Sequence, residues 1–175
     1  NVETSQTIVD TINCALKVQA ACYGTMSNFT FGNNNFGYYE TICGGEGASN
    51  HHNGADAIQC HMTNTRLTDP EILELRYPVK VNNFSIRRNS GGNGLFKGGN
   101  GVVREIQFNQ NMTAVILSNR RKVSPLGILD GENAKKGINI LKTKNKKLKT
   151  LKSSESVNIK KGDTIIIKTP GGGGY

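Results

Sequence analysis

The sequence predicts an α+β fold, in which an N-terminal helix and a loop-rich segment precede a mainly antiparallel β-sandwich or barrel-like unit. Two periodicities carry this reading. Apolar residues recur at helical spacing near the start, at Ile8, Ile12 and Leu16. From Tyr77 onward the apolar period shortens to two, in brief runs broken by turn residues. A third observation is the glycine: of 21 residues, thirteen fall in four clusters, at 44, 45 and 47, at 91, 92 and 94, at 98, 99 and 101, and at 171 to 174. The chain divides into residues 1–76, a helix with a glycine-rich loop segment, and residues 77–175, the β-rich part.

The first element is a helix over residues 2–20, its apolar stripe widened by Val9 and Ala15 and its start capped by Thr4 or Ser5. Residues 23–37 are rich in Gly and Asn and suit an irregular loop anchored by Phe29, Phe31 and Phe36. A short strand over residues 38–43 ends at the first glycine cluster. Thr68-Asp69-Pro70-Glu71 opens a second, short helix reaching about Leu75, with a capping side chain, proline in the first turn and acid against the dipole. Then come Tyr77, Val79 and Val81, followed by Phe84 and Ile86, with a slip near Asn82-Asn83 that predicts a bulge. Further strands are expected at 102–108, 113–119, 137–142, 147–151, 155–159 and 164–169.

The net charge of +9 is local. Residues 1–134 balance to zero, whereas residues 135–161 carry ten lysines against Glu155 alone. Such a segment can bind phosphates, but it lacks the arginines and interleaved aromatics of base recognition. It reads as a solvated hairpin turning at Lys144-Asn145-Lys146-Lys147, with Ile138 and Ile140 pointing inward. Cys14, Cys22, Cys43 and Cys60 form no C-x-x-C pair and no zinc-ribbon spacing, and read as reduced thiols of a cytoplasmic protein. No run of apolar residues is long enough for a membrane span. The start at Asn1, without a charged-then-apolar leader, reads as a piece whose amino-terminal context lies elsewhere.

Chemistry concentrates in Cys60-His61-Met62-Thr63-Asn64-Thr65-Arg66. An imidazole that can move a proton, two hydroxyls, an amide and a guanidinium stand within seven residues. His61 is a catalytic or substrate-contacting group on one reading and a structural tie on the other. Arg66 holds a substrate carboxylate or pairs with Glu71 or Glu74. Gly171, Gly172 and Gly173 line a site or make a turn. The glycine clusters match no phosphate loop: G-x-x-x-x-G-K-[ST] is absent, and Lys97 stands where a dinucleotide fingerprint needs glycine. Ser90 has no nucleophile elbow around it. His51 and His52 lie in a Gly/Asn-rich loop and read as solvent-exposed.

Eight ordered blocks carry a family resemblance over the whole chain: residues 1–6, Gly24-Thr25-Met26-Ser27-Asn28, Tyr39-Glu40-Thr41 with residues 44–48, His61-Met62-Thr63-Asn64-Thr65-Arg66, Glu74-Leu75-Arg76-Tyr77-Pro78, Ser90-Gly91-Gly92, Gly98-Gly99-Asn100-Gly101 and residues 169–175. Together they resemble the hydantoinase B/oxoprolinase family, and His61 to Glu74 is most similar to its ATP-dependent 5-oxoprolinase branch. The resemblance implies ATP-driven opening of a cyclic amide, in that branch 5-oxoproline to glutamate. It also implies an A-type ATP-binding subunit or domain that holds ATP and Mg and phosphorylates the amide oxygen. The B-type module takes the intermediate to product, and a divalent metal belongs to its upstream region. This chain corresponds to the last third or so of a B-type module, residues 1–76 being the tail of its catalytic domain.

The resemblance therefore implies a partial module that joins the remainder of the B-type module and a homo-oligomer, binds no cofactor or metal itself, and is inactive alone. His61 is its candidate catalytic residue, and Asn64, Arg66, Gly171, Gly172 and Gly173 are its candidate substrate contacts. A non-catalytic scaffold and a basic nucleic-acid-binding module are the alternatives.

Overall fold

The alternating strands of the sequence close into two antiparallel sheets, seen in a computed structural model that describes residues 1–25 and 27–175. Met26, within one of the family-like blocks, lies outside the described residues. One helix, α1 (Val2–Ala15), precedes the hairpin β1 (Ser27–Gly32) and β2 (Gly37–Ile42). A second helix, α2 (Pro70–Arg76), leads into β3 (Val79–Ile86), β4 (Val102–Phe108) and β5 (Met112–Leu117). The chain continues with β6 (Ile138–Lys142), β7 (Leu148–Leu151), β8 (Ser154–Ile159) and β9 (Thr164–Lys168). The four-stranded sheet runs β2-β1-β5-β8 and the five-stranded sheet β3-β4-β9-β6-β7. Neither is a closed barrel, and the first draws strands from both sides of residue 76.

Period-two burial explains the pairing. In β4 and β5 alternate residues face inward, so Ile106, Phe108, Ala114 and Ile116 meet Phe29, Phe31, Ile165 and Ile167 in one core. Phe31 sits edge-on to Phe108, centroids 5.5 Å apart. The expected bulge appears as a register shift between Val81 and Asn83. Asp69 caps α2 by accepting a hydrogen bond from the Glu71 N–H at 2.9 Å, and Pro70 occupies the first turn.

Across the core, Arg104 of β4 reaches Glu40 of β2. Its Nε and Nη2 donate to the two carboxylate oxygens at 3.2 and 3.0 Å, and both side chains are 1 % exposed. Tyr38 Oη donates to the same carboxylate at 3.0 Å. This buried pair ties one sheet to the other.

Four expectations are corrected. Residues 27–32 form β1 rather than an irregular loop: Phe29 and Phe31 alternate inward, a period of two that the neighbouring Gly and Asn obscure. The first helix ends at Ala15, and Asn1 takes the N-cap position without a side-chain bond, so neither Thr4 nor Ser5 caps it. Its inward residues are Gln6 and Asp10, while Ile8 is 51 % exposed, Ile12 50 % and Leu16 68 %. In β6 the inward residues are Asn139 and Leu141 instead of Ile138 and Ile140, because a one-residue phase change exchanges the faces of a strand. Asn139 satisfies its buried amide by accepting from Arg121 and donating to Ser118 Oγ and the Lys152 carbonyl.

The glycine clusters build a third structural unit beside the sandwich. Residues 171–175 run through the middle of several extended segments, and successive residues bond to different neighbours. Gly172 donates to the Gly99 carbonyl and accepts from Gly92, both at 2.9 Å. Gly173 donates to Ala21 and accepts from Ala48, and Gly174 donates to Glu132 and accepts from Ile128. Tyr175, three residues after Gly172, returns to the first side and exchanges both bonds with Phe96. A ladder addresses one neighbour per edge; here the bonding direction turns by about a third of a circle per residue, the symmetry of a polyproline II strand. At Gly171, Gly172, Gly173 and Gly174 an added Cβ would overlap backbone of another segment. Glycine is required there for close approach of main chains.

Candidate functional site

The run Cys60–Arg66 is pinned onto α1 by Gln6. Its Nε2 donates to the Cys60 carbonyl at 2.8 Å, and its Oε1 accepts the Met62 N–H at 2.7 Å. Thr63 Oγ1 bonds the Cys60 carbonyl at 2.8 Å and meets Tyr23 Oη at 2.9 Å, with Tyr23 Oη also donating to Gln59. Held at both ends, the loop places His61 in the left-handed region, φ 51°, and turns its ring inward. The His61 side chain is 14 % exposed.

What it meets is Asp10, one turn beyond Gln6 on the same face of α1. His61 Nε2 donates to Asp10 Oδ1 at 3.4 Å, and the Cys22 N–H donates to the same oxygen at 2.9 Å. Arg120 Nη2 donates to Oδ2 at 3.1 Å. Asp10 thus joins four parts of the chain: α1, the segment at Cys22, the loop at His61 and the loop after β5. The Asp10 carboxylate, with the Cys22 sulfur second, pushes the His61 imidazole up to about 10 from its ordinary 6.5, against the opposing effect of burial. His61 is therefore a cation near neutral pH. The Cys22 thiol is raised well above its usual range, chiefly by its hydrogen bond with Cys60 and then by burial. All four cysteines are free.

A cavity of about 380 Å³ opens beside this cluster, with Gln6, Thr7, Asp10, Thr25, Asn119 and Arg120 in its wall. The Asn119 side-chain Oδ1 accepts the Thr25 N–H at 3.0 Å, which fixes the far rim. His61 stands behind Asp10 rather than in the wall. The glycine unit supports this arrangement from beneath, since Gly173 bonds to Ala21, the residue before Cys22.

Asp10, Cys22 and His61 bring a carboxylate oxygen, a sulfur and an imidazole nitrogen within 4.8 Å of one another. The donor set does not fit a metal ion. Both Asp10 oxygens are already bonded to N–H donors, and a guanidinium on the carboxylate opposes a second cation.

Among the residues expected from the sequence, His61 alone joins this cluster. Asn64 and Arg66 are exposed on the outer side of the loop, and among the described residues their side chains make no hydrogen bond and Arg66 makes no ion pair with Glu71 or Glu74. Gly171, Gly172 and Gly173 are buried in the glycine unit, against main chain. Ser90 is fully buried, its Oγ accepting the Gly101 N–H at 2.9 Å. His51 and His52 are exposed. Sequence reasoning missed Gln6, Asp10, Cys22, Asn119 and Arg120. One signal was available: Gln6 and Asp10 stand four residues apart on the helix face opposite the apolar stripe.

The sequence profile of the hydantoinase B/oxoprolinase family matches residues 1–175. The chain is 54 % identical over 175 residues to a 5-oxoprolinase of Dictyostelium discoideum, spanning 100 % of this chain and 14 % of that protein. It is 51 % identical over 175 residues to 5-oxoprolinase 1 of Arabidopsis thaliana, again spanning 100 % of this chain and 14 % of the relative. In fold it is similar to the ATP-dependent caprolactamase of Pseudomonas jessenii, with a TM-score of 0.78 at 24 % identity, covering 90 % of this chain and 30 % of that one. No helix among the described residues is long and apolar enough to cross a membrane.

Proposed function

Because the chain belongs to the hydantoinase B/oxoprolinase family, we propose that it forms the C-terminal part of the B-type module of a cytoplasmic, ATP-dependent amidohydrolase that opens 5-oxoproline to glutamate. The observation that supports this reading is the cavity beside α1, whose wall holds the Asp10 carboxylate and the Arg120 guanidinium, with His61 a second cation behind Asp10. Asp10, His61 and Arg120 sum to one positive charge in a partly buried place, where water screens weakly. Such a wall attracts an anion: the ring carboxylate of 5-oxoproline, or the phosphate placed on its amide oxygen. The cavity, about 380 Å³, is within the ~300–1,000 Å³ range of small-molecule sites.

Arg120 spends one Nη2–H on Asp10, and the remaining N–H groups of its guanidinium suit a carboxylate or phosphate. His61 is a positioning residue that acts through Asp10, fixing the carboxylate and thereby the guanidinium. In this reading Asn64 and Arg66, exposed on the same loop and outside the cavity wall, contact substrate as it enters, and Gly171, Gly172 and Gly173 hold the floor rigid. Phosphorylation of the amide oxygen creates a leaving group. Water adds to the activated carbon, and the C–N bond breaks as the ring nitrogen takes up the water's proton and becomes the amino group. A second water hydrolyses the resulting acyl phosphate to carboxylate and phosphate, and the cationic wall stabilises the charge developing on oxygen. In this reading ATP and Mg belong to an A-type subunit or domain, any divalent metal belongs to the rest of the B-type module, and the assembly is a homo-oligomer.

The test is Arg120→Gln in the complete enzyme, assayed by ATP-coupled release of glutamate from 5-oxoproline. The expected result is a fall in kcat/KM of at least about tenfold, the loss of roughly one charged hydrogen bond. Unchanged kcat/KM in a folded variant would instead favour a scaffold, the second reading, which the backbone-packed glycine unit supports.

A further inference from the structure

Helix α1 is inverted. Its inner face carries Gln6 and Asp10, and its outer face carries Ile8, Ile12 and Leu16 at i, i+4 and i+8, each half or more exposed. An amphipathic helix at a true surface shows the opposite arrangement, apolar inward and polar outward. The polar face is fully engaged: Gln6 bonds three backbone groups and Asp10 accepts from Cys22, His61 and Arg120. The helix therefore cannot turn over to bury its leucine and isoleucines without breaking the site. Leu126, in the cavity wall, is also exposed, whereas Ile8, Ile12 and Leu16 stand outside that wall.

We infer that the Ile8–Ile12–Leu16 face is an internal interface of the B-type polypeptide, covered by an apolar helix or strand from outside residues 1–175. The length of the relatives supplies the occupant. Most of the Dictyostelium protein, and more than two thirds of the caprolactamase chain, lies outside the stretch that corresponds to this one. A row of branched side chains spaced by four residues is one ridge of a helix packing of ridges into grooves. The neighbouring Thr4, Thr7 and Thr11 are small enough for close approach. A lipid surface fits poorly, because the only ionisable side chains on α1 apart from Cys14 are Glu3 and Asp10, whereas interfacial helices are rich in Lys and Arg. The inference rests on family membership and on the orientation of α1, and stands apart from the substrate assignment.

The experiment places a benzophenone amino acid at position 12 of the complete B-type polypeptide, with position 145 at the exposed hairpin tip as control. After irradiation, cross-linked peptides are identified by mass spectrometry. The expected result is a cross-link from position 12 to a segment of the same polypeptide outside residues 1–175, at unchanged subunit mass, with none from position 145. A cross-link joining two copies, a cross-link to an ATP-binding partner, or no cross-link from position 12 would each overturn the inference. Because the benzophenone is apolar, the cover stays in place in the labelled protein. An Ile12→Asp variant supplies a second readout: amide exchange in α1 should accelerate at least tenfold in the complete polypeptide, and unchanged exchange would also count against the cover.

Discussion

Replacing Gly172 by alanine adds one methyl group, and the glycine unit has no room for it. The new Cβ would stand 2.5 Å from the Gly47 nitrogen and closer still to the Glu46 carbonyl, where real Cβ atoms essentially never come within 3.0 Å. The neighbours are main chain, so they cannot swing aside; the segments must separate. Separation loosens the bonds Gly172 N–H to Gly99 and Gly92 N–H to Gly172, both 2.9 Å, and Gly99 N–H to Glu46, 2.8 Å. Losing two of these three buried backbone bonds costs about 2–6 kcal/mol, offset by ~0.4–1 kcal/mol from the stiffer unfolded chain. At ~2–4 °C per kcal/mol for a chain of this size, Gly172→Ala should lower Tm by about 5–15 °C. The chain has no tryptophan, so calorimetry or far-UV circular dichroism is the assay. Gly37→Ala is the control, because an added Cβ there meets nothing within 4 Å, and its Tm should hold or rise slightly. If Gly172→Ala melts within ~2 °C of the parent, or no lower than Gly37→Ala, the close-packed main-chain account is wrong.

Three further outcomes are expected. His61 carries a folded-state pKa of about 10 against an ordinary 6.5, so its contribution to stability is complete below about 6.5 and is lost as pH rises through about 10. Denaturant midpoints of the parent minus those of His61→Gln should therefore shrink across that window, and a difference independent of pH would refute the Asp10–His61 pairing. Glu40→Gln leaves the Arg104 guanidinium buried without its counterion and should cost about 3–5 kcal/mol by urea unfolding, whereas a paired Glu40→Leu, Arg104→Met change should cost clearly less than the sum of its single changes. In thiol titration of the native chain, Cys14, the only cysteine that is not buried, should react first, with Cys22, Cys43 and Cys60 reacting only after denaturation. Rapid native labelling of Cys22 would mean that the cluster opens readily.

Regular strands were legible wherever side chains alternate. The residues of β4 and β8 announce themselves by a period of two, β9 by a short run of isoleucines, and Asp69-Pro70-Glu71 announces α2 by its capping chemistry. Legibility failed where one pattern admits two faces. On α1 the sequence offers an apolar stripe and a polar pair, and only tertiary contacts reveal that Gln6 and Asp10 take the inside. In β6 the same ambiguity concerns Ile138 against Asn139, decided by Arg121 from a distant loop. The glycine clusters show that main chains approach closely, but glycine has no side chain to carry a period. Their bonding pattern is therefore written in the fold alone. As for the site, the run Cys60–Arg66 pointed to His61. Its partners Asp10, Cys22 and Arg120 are spread over more than a hundred residues and converge only through folding.

Residues 170–175 come after every other part of this fold in chain order, yet they occupy the centre of the glycine unit, bonded to segments near residues 21, 45, 48, 92, 96, 99, 128 and 132. Those segments cannot pack on one another while the middle is missing. The two sheets pair without this strand, whereas the unit that supports the Cys22 segment closes only around it. A substitution that expels this strand would leave the sheets paired and the floor beneath Cys22 open. Such a chain would expose unpaired backbone, so one short strand of glycines holds many distant segments in common order.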